Sequence, residues 1–301
     1  MRLMRGVNTP MVTPFDEEGK IDFEAMKAHV DFLISRGVSN LYPLGTLGEG
    51  ILMTLEERKK VAETVVEYTA GRAGVFIHVG AQRTDDAAAL ARHAQEIGAD
   101  GVGAITPYFY RADQEDMCDY FAAISQAVSE DFPVYMYNLP GVTGNDLKPE
   151  TVRDLSKRSN IVGIKNTMDS DLRISQLYRC CGEEFSLISG DDTNPLGGLA
   201  LGAKGVVSGT SNVFPELFVE LYKYVQENDL AQAARTQHRI YQFVDLMKND
   251  YRPCYIKAMM EIRGLKKSFS RAPLKRCCTQ EEMQYLRRGL SEIFDDAEIR
   301  I

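Results

Sequence analysis

Lys165 closes an otherwise apolar run, Ile161-Val162-Gly163-Ile164, so an ammonium sits where the surrounding residues offer it little water. Desolvation lowers a lysine's pKa toward neutrality. A neutral amine on a rigid strand can attack a ketone and form a Schiff base. The competing reading is a lysine snorkelling from a strand end toward a carboxylate such as Asp191. Tyr137 ends the preceding apolar run and should stand beside Lys165. Its phenol could shuttle protons through carbinolamine formation and dehydration, or simply pack with its hydroxyl satisfied. The small-residue turn Gly45-Thr46-Leu47-Gly48 lies just ahead of a helix start. Such a turn exposes backbone amides that suit a carboxylate, and the Thr46 hydroxyl could relay protons to Tyr137. Gly190-Asp191-Asp192 carries paired carboxylates, which on such a loop take sugar hydroxyls or cap a helix more often than they hold a metal. The histidines His29, His78, His93 and His238 are scattered, and of these His78 alone ends a strand-like run. The histidine cluster of a metal-dependent aldolase is missing, so no metal is expected.

These positions make sense only if something brings them together. Apolar runs of strand length recur at 7–12, 40–44, 75–79, 101–106, 134–138, 161–167, 185–189 and 205–208, with amphipathic stretches of helix length between them. One helix is expected from about Asp22 to Gly37. A second starts at Thr54, where Thr54-Leu55-Glu56-Glu57 reads as a capping box. A third runs from about Thr84 to Gly98, the glycine supplying a left-handed stop, and a fourth starts near Asp113. Pro149 and Pro215 suit a first helical turn. Two helix-to-strand joins repeat one theme, Ile97-Gly98-Ala99-Asp100-Gly101-Val102 and Leu201-Gly202-Ala203-Lys204-Gly205-Val206. Strands alternating evenly with helices imply an α/β fold, a parallel sheet closed as a (β/α)8 TIM barrel. An open doubly wound sheet would want a glycine-rich dinucleotide turn after the first strand, where the chain reads Thr9-Pro10-Met11-Val12-Thr13-Pro14. The stretch from Pro215 to about Asp295 is too long for one barrel helix. We read a single domain, with the barrel in 1–228 and a C-terminal helical extension packed on it in 229–301, breaking near 250–252 and 264–273. In such a barrel the chemistry lies at the C-terminal ends of the strands, where Lys165, Tyr137, Thr46 and Gly190 all fall.

Bulk properties exclude several classes. The 301 residues are 44% hydrophobic and 26% charged, an ordinary globular balance. The net charge of −8 is spread without a basic stripe, so nucleic acid is not an expected partner. No apolar run has membrane-spanning length, and the N-terminal residues lack a secretory core. Six cysteines without a C-x-x-C pair fit free thiols in a reducing cytoplasm.

Taken jointly, several stretches resemble the dihydrodipicolinate synthase and N-acetylneuraminate lyase family over nearly the whole chain. They are Gly6-Val7 through Thr13-Pro14-Phe15, Gly45-Thr46-Leu47-Gly48-Glu49, Thr106-Pro107-Tyr108, Tyr137-Asn138-Leu139-Pro140 with Thr143-Gly144, Gly163-Ile164-Lys165, and Ser189-Gly190-Asp191-Asp192. The resemblance implies a class I aldolase or lyase with a helical extension to its barrel, usually a homotetramer, that works through a covalent imine without metal or organic cofactor. It makes Lys165 the Schiff-base lysine, Tyr137 the proton-transfer phenol and Thr46 the relay hydroxyl. It puts the backbone of Thr46 and Leu47 on the carboxylate of pyruvate, the Val207 carbonyl near the bound keto acid, and Gly190 in the substrate wall.

The departures bear on the second substrate. Synthases carry an arginine where this chain has Val142, and a second threonine where it has Leu47. The tyrosine they borrow from a neighbouring subunit falls on Phe109, with Tyr110 one residue on as a stand-in. The lyase branch matches Thr167 and Asp192, yet has glutamate and serine where this chain has Thr193 and Gly209. Losing two hydroxyl contacts disfavours a nine-carbon sugar acid. The expected activity is reversible cleavage of a 2-keto-3-deoxy sugar acid, or a related hydroxy-keto acid, to pyruvate and an aldehyde. The alternatives are 4-hydroxy-tetrahydrodipicolinate synthase and a non-catalytic keto-acid-binding protein. The triplet Tyr108-Phe109-Tyr110 suggests burial against a partner subunit or in a packed site.

Overall fold

The computed structural model describes every residue except 169, 248–252 and 300–301. Eight parallel strands close on themselves in chain order: β1 (Gly6–Thr9), β2 (Asn40–Leu41), β3 (Gly74–His78), β4 (Gly101–Ile105), β5 (Val134–Asn138), β6 (Ile161–Asn166), β7 (Ser186–Ser189) and β8 (Gly205–Val207). β1 pairs with β8 from Gly6 opposite Gly205 to Asn8 opposite Val207, which completes the ring. The helices around it are α1 (Phe23–Ser35), α2 (Leu55–Thr69), α3 (Thr84–Glu96), α4 (Gln114–Gln126), the single turn α5 (Pro140–Thr143), α6 (Pro149–Leu155), α7 (Asp171–Cys181), α8 (Pro195–Ala200) and α9 (Pro215–Gln226). No helix among the described residues is long and apolar enough to cross a membrane.

Local sequence explains where the elements start and stop. Thr54 accepts from the Glu57 amide while Glu57 accepts from the Thr54 amide, so the expected capping box forms at α2. Asp113 and Asp116 make a second box at α4. Gly98 follows α3 at φ +81°, a conformation that costs glycine little. The apolar run at 7–12 yields a shorter strand than its pattern suggests. The assigned strand ends at Thr9, although the Met11 amide beyond Pro10 still donates to the Tyr42 carbonyl at 3.2 Å.

β5 and β6 are out of step by one residue. Val134 pairs with Ile161 but Tyr135 pairs with Gly163, leaving Val162 as the extra residue of a bulge. Beyond it the register runs Tyr137 opposite Lys165. Gly163 is required there, because a Cβ would lie 2.3 Å from the Ser186 carbonyl and 2.4 Å from the Tyr135 ring. The N-terminal end of the barrel is plugged by Met4, Phe76, Tyr135 and Ile188. Tyr135 accepts a hydrogen bond from the Met4 amide at 2.8 Å. The larger core fills the space between strands and helices.

The segment after α9 is helical: α10 (Leu230–Asp245), α11 (Pro253–Ile262), α12 (Gln280–Ile293) and the turn α13 (Asp296–Ile299). α10 packs on α9, and α12 packs on α10 and α11. The break expected near 250–252 lies outside the described residues. The one expected at 264–273 begins at Gly264, φ +101°, and the chain stays irregular until α12. Arg263 ties this part to the barrel. Buried itself, it forms a two-pronged ion pair with Glu216 and donates to the Val213 carbonyl.

Candidate active site

The one-residue bulge in β6 brings Lys165 and Tyr137 side by side. Lys165 Nζ lies 3.8 Å from the centroid of the Tyr137 ring, with the residues 8% and 3% exposed. Among the described residues Lys165 has no ion-pair partner; the buried cations that do are Lys257, paired with Glu49, and Arg263, paired with Glu216. The competing reading, a lysine reaching for Asp191, is therefore not what the structure contains. Asp191 is occupied locally, accepting from both the amide and the hydroxyl of Thr193 at 2.8 and 2.7 Å. Tyr137 meets His78 edge-on, with ring centroids 6.2 Å apart. Burial holds the His78 imidazole well below its ordinary range, and the charges of Arg58 and Lys165 push the same way. It accepts from the Ile105 amide at 3.3 Å, so this histidine is a neutral wall.

Room for the lysine comes from Gly190 at the end of β7. A Cβ there would fall 2.0 Å from Thr167 Oγ1 and 2.7 Å from Lys165 Cε. Thr167 Oγ1 is itself buried without a hydrogen-bond partner among the described residues. A polar atom left so in a cavity wall is suited to a ligand.

The Thr46 turn faces Lys165 across the cavity. Its shape is unusual: Leu44 and Glu49 both have left-handed backbones, φ +69° and +56°. Gly48 has to be glycine, since a Cβ would meet the Leu44 nitrogen and the Met11 carbonyl at 2.9 Å each. Internal bonds from Glu49 N to Thr46 O and from Gly50 N to Gly45 O hold the loop, and Thr13 Oγ1 donates to the Gly48 carbonyl at 2.8 Å. The amides of Thr46 and Leu47 donate to no backbone carbonyl among the described residues. Thr46 and Tyr137 share the cavity, but their hydroxyls are not hydrogen-bonded to one another.

The remaining walls divide by polarity. Leu47, Leu139 and Val142 form an apolar side, and Thr167, Asp192 and Thr193 a polar one, around a cavity of about 270 Å³ that also includes Gly190, Val207 and Tyr42. Asp192 accepts from the Gly209 amide at 3.0 Å. Burial pushes its carboxyl up to about 6, against the pull of the Ser208 hydroxyl and the Lys165 charge. Gly209 and Leu47 are a matched pair, because a Cβ on Gly209 would lie 2.3 Å from Leu47 Cδ1. Among the described residues Lys165 is the one cationic side chain in this lining. A second cavity of about 650 Å³ shares Gly45, Thr46, Leu47 and Val142 and continues to His78, Phe109 and Pro273.

One expected contact is not made within the chain. Tyr110 lines neither cavity; it is 74% exposed and stacks edge-on with Phe109, itself 80% exposed. Phe109 has a left-handed backbone, φ +75°, and Asn145 clamps the loop by donating to the carbonyls of Pro107 and Tyr110. This geometry carries the Tyr110 side chain clear of its own cavity. Tyr42 and Leu139 are wall residues that the sequence reading missed. Tyr42 sits inside a strand-like run with nothing to mark which way its side chain turns.

Residues 3–293 match the model of the dihydrodipicolinate synthetase family. The chain belongs to that family. Family members are class I, pyruvate-dependent aldolases and lyases, and this protein is such an enzyme. It is 38% identical over 239 residues to 4-hydroxy-tetrahydrodipicolinate synthase of Bartonella bacilliformis, covering 79% of this chain and 81% of that one. It is 39% identical over 246 residues to the probable 2-dehydro-3-deoxy-D-pentonate aldolase YjhH of Escherichia coli K12, covering 80% and 81%. Among solved structures, YagE of Escherichia coli K12, a prophage protein of the same family in complex with pyruvate, superposes with a TM-score of 0.92 at 30% identity, over 97% of this chain and 99% of that one. Dihydrodipicolinate synthase from Aquifex aeolicus gives 0.91 at 32% identity, over 96% and 98%.

Proposed function

We propose that this member of the family reversibly cleaves a 2-keto-3-deoxy sugar acid, or a related hydroxy-keto acid, to pyruvate and an uncharged aldehyde. The observation that carries the reading is the cavity lining, in which Lys165 beside Tyr137 is the lone cation among the described residues. A single carboxylate, that of the keto acid, can be met by the amides of Thr46 and Leu47. A second carboxylate, as on aspartate semialdehyde, would find Val142 where a bidentate arginine is needed. The polar wall suits hydroxyl groups instead, with Thr167, unpartnered among the described residues, and the partly buried Asp192 lining one cavity.

In this reading the Lys165 amine adds to the ketone and water leaves, with Tyr137 moving the protons and Thr46 relaying them. The iminium is the electron sink. The Tyr137 phenolate takes the C4 hydroxyl proton, the C3–C4 bond breaks, and its electron pair moves into the enamine of pyruvate. Protonation at C3 and hydrolysis of the imine release pyruvate and free the lysine. The Val207 carbonyl and Gly190 border the keto acid, and Asp192 and Thr167 take chain hydroxyls. Tyr110 and Phe109 belong to an interface of a homotetramer, where Tyr110 reaches a neighbour's site.

Borohydride added with pyruvate leaves a reduced adduct on Lys165, read by mass spectrometry. A screen of 2-keto-3-deoxy acids and sialic acid, coupled to pyruvate detection, identifies the aldehyde. A folded protein with Lys165 unmodified would overturn the mechanism. The second reading, 4-hydroxy-tetrahydrodipicolinate synthase, is favoured by the Bartonella relative. It predicts condensation of pyruvate with aspartate semialdehyde, and no product at saturating substrates removes it.

A further inference from the structure

The most deeply buried ion pair among the described residues joins the end of the turn that lines the cavity to the C-terminal extension. Glu49, the last residue of the Gly45–Glu49 turn, meets Lys257 of α11 at 2.5 Å, with side chains 0% and 1% exposed. Lys257 Nζ also donates to the Phe269 carbonyl at 2.7 Å, and its ammonium lies 4.7 Å from the centre of the Phe15 ring. The second carboxylate oxygen of Glu49 accepts from the Arg271 amide at 2.7 Å. The Arg271 guanidinium, 4.4 Å from the Phe15 ring centre, forks onto Glu57 at 2.9 and 2.6 Å and so reaches the first turn of α2. Burial draws the Lys257 ammonium down, and the Glu49 carboxylate pushes it back up.

Two charges held this dry are a poor source of stability compared with apolar packing. They are, however, a strict positional constraint, since both need their partner in place. The constraint falls on Glu49, whose left-handed backbone ends the turn and whose amide bonds the Thr46 carbonyl. We infer that Lys257, with Arg271, is a positioning residue for pyruvate: through Glu49 it holds the Thr46 and Leu47 amides in the geometry that receives the keto-acid carboxylate. The inference rests on the function proposed above. The C-terminal extension thus takes part in substrate binding although none of its described residues lines the keto-acid pocket.

Pyruvate-dependent borohydride trapping of Lys165 provides the test, read both as the half-saturating pyruvate concentration and as the rate at saturation. Lys257→Met, and Glu49→Gln/Lys257→Met, which leaves no unpaired charge, raise the half-saturating concentration about tenfold or more, while the saturated rate changes little. Glu216→Gln cuts the other buried tie of the extension, the one to Arg263, and serves as the control for general loosening. It lowers the melting temperature and leaves half-saturation unchanged. Equal half-saturation in wild type and the double variant overturns the inference, as does an equal rise in Glu216→Gln. Loss of folding in the double variant also overturns it, since the pair is then a stability element. An untrapped wild type removes the underlying function and this inference together, whereas a trapped wild type with unaltered variants removes the inference alone.

Discussion

The two halves of the cavity are built differently. The lysine side of the cavity is made by strands and a close-packed glycine: Lys165 and Tyr137 are locked in register by the β6 bulge, and Gly190 leaves space for the lysine. The aldehyde half is made by loop residues, of which Val142 is 67% exposed and Asp192 and Thr193 are only partly buried. Loops on a rigid barrel vary more easily than the strands beneath them. On the proposed function, one half carries the chemistry and the other the choice of substrate.

The sharpest way to break this contrast is at the phenol. Tyr137→Phe keeps the ring beside Lys165 and removes the proton carrier, so turnover should fall about 10²- to 10³-fold, with the protein folded and little change in pyruvate affinity. Gly190→Ala comes next. Its Cβ needs space held by Thr167 and Lys165, and imine formation followed by borohydride trapping should slow about tenfold or more, with a stability loss of roughly 1–3 kcal/mol. Changes in the other half should redirect activity instead. Leu47→Ala opens the wall over Gly209, and should raise the relative kcat/KM for aldehydes one or two carbons longer by about tenfold, measured across an aldehyde series. Loss of activity on every aldehyde would place Leu47 in the half that carries the chemistry.

The smallest effect tests the polar wall. The Asp192 carboxyl titrates at about 6 in the fold against 3.8 for a free side chain. A raised carboxyl favours the fold fully below the unfolded value, and that contribution is lost as pH rises through the folded one. Asp192→Asn should therefore be more stable than wild type by roughly 2 kcal/mol at pH 7, with the gap closing as pH falls from 6 to 4. Thermal melts over that range provide the measure. A gap independent of pH would mean that the carboxyl is not strained by burial.

Much of the first half was legible in the sequence. Lys165 in an apolar run, Tyr137 at the end of the run before it and the small residues around Thr46 are local patterns, and local patterns survive in one dimension. The capping box at Thr54 and the left-handed Gly98 were legible for the same reason. The bulge at Val162 was not, because an extra residue in a strand shows only against its partner. Asp191 and Asp192 look equivalent in sequence, yet one is closed into a turn with Thr193 and the other is turned toward β8. Tyr110 was expected as a stand-in for the tyrosine borrowed from a neighbouring subunit. The left-handed backbone at Phe109 decides where it points, and nothing in a run of three aromatics announces that torsion. The pairing of Glu49 with Lys257 spans 208 positions, with no motif to connect the two.

That span has a consequence for the order in which the protein becomes an enzyme. A ribosome delivers Glu49 early and Lys257 and Arg271 near the end. Domains begin to fold while they are being made, and contacts between distant residues form late. The strands bearing Tyr137 and Lys165 are complete long before the turn gains its last ties. On the ribosome, the strand that bears Lys165 is made before the residues that, on the inference above, fix the turn facing it.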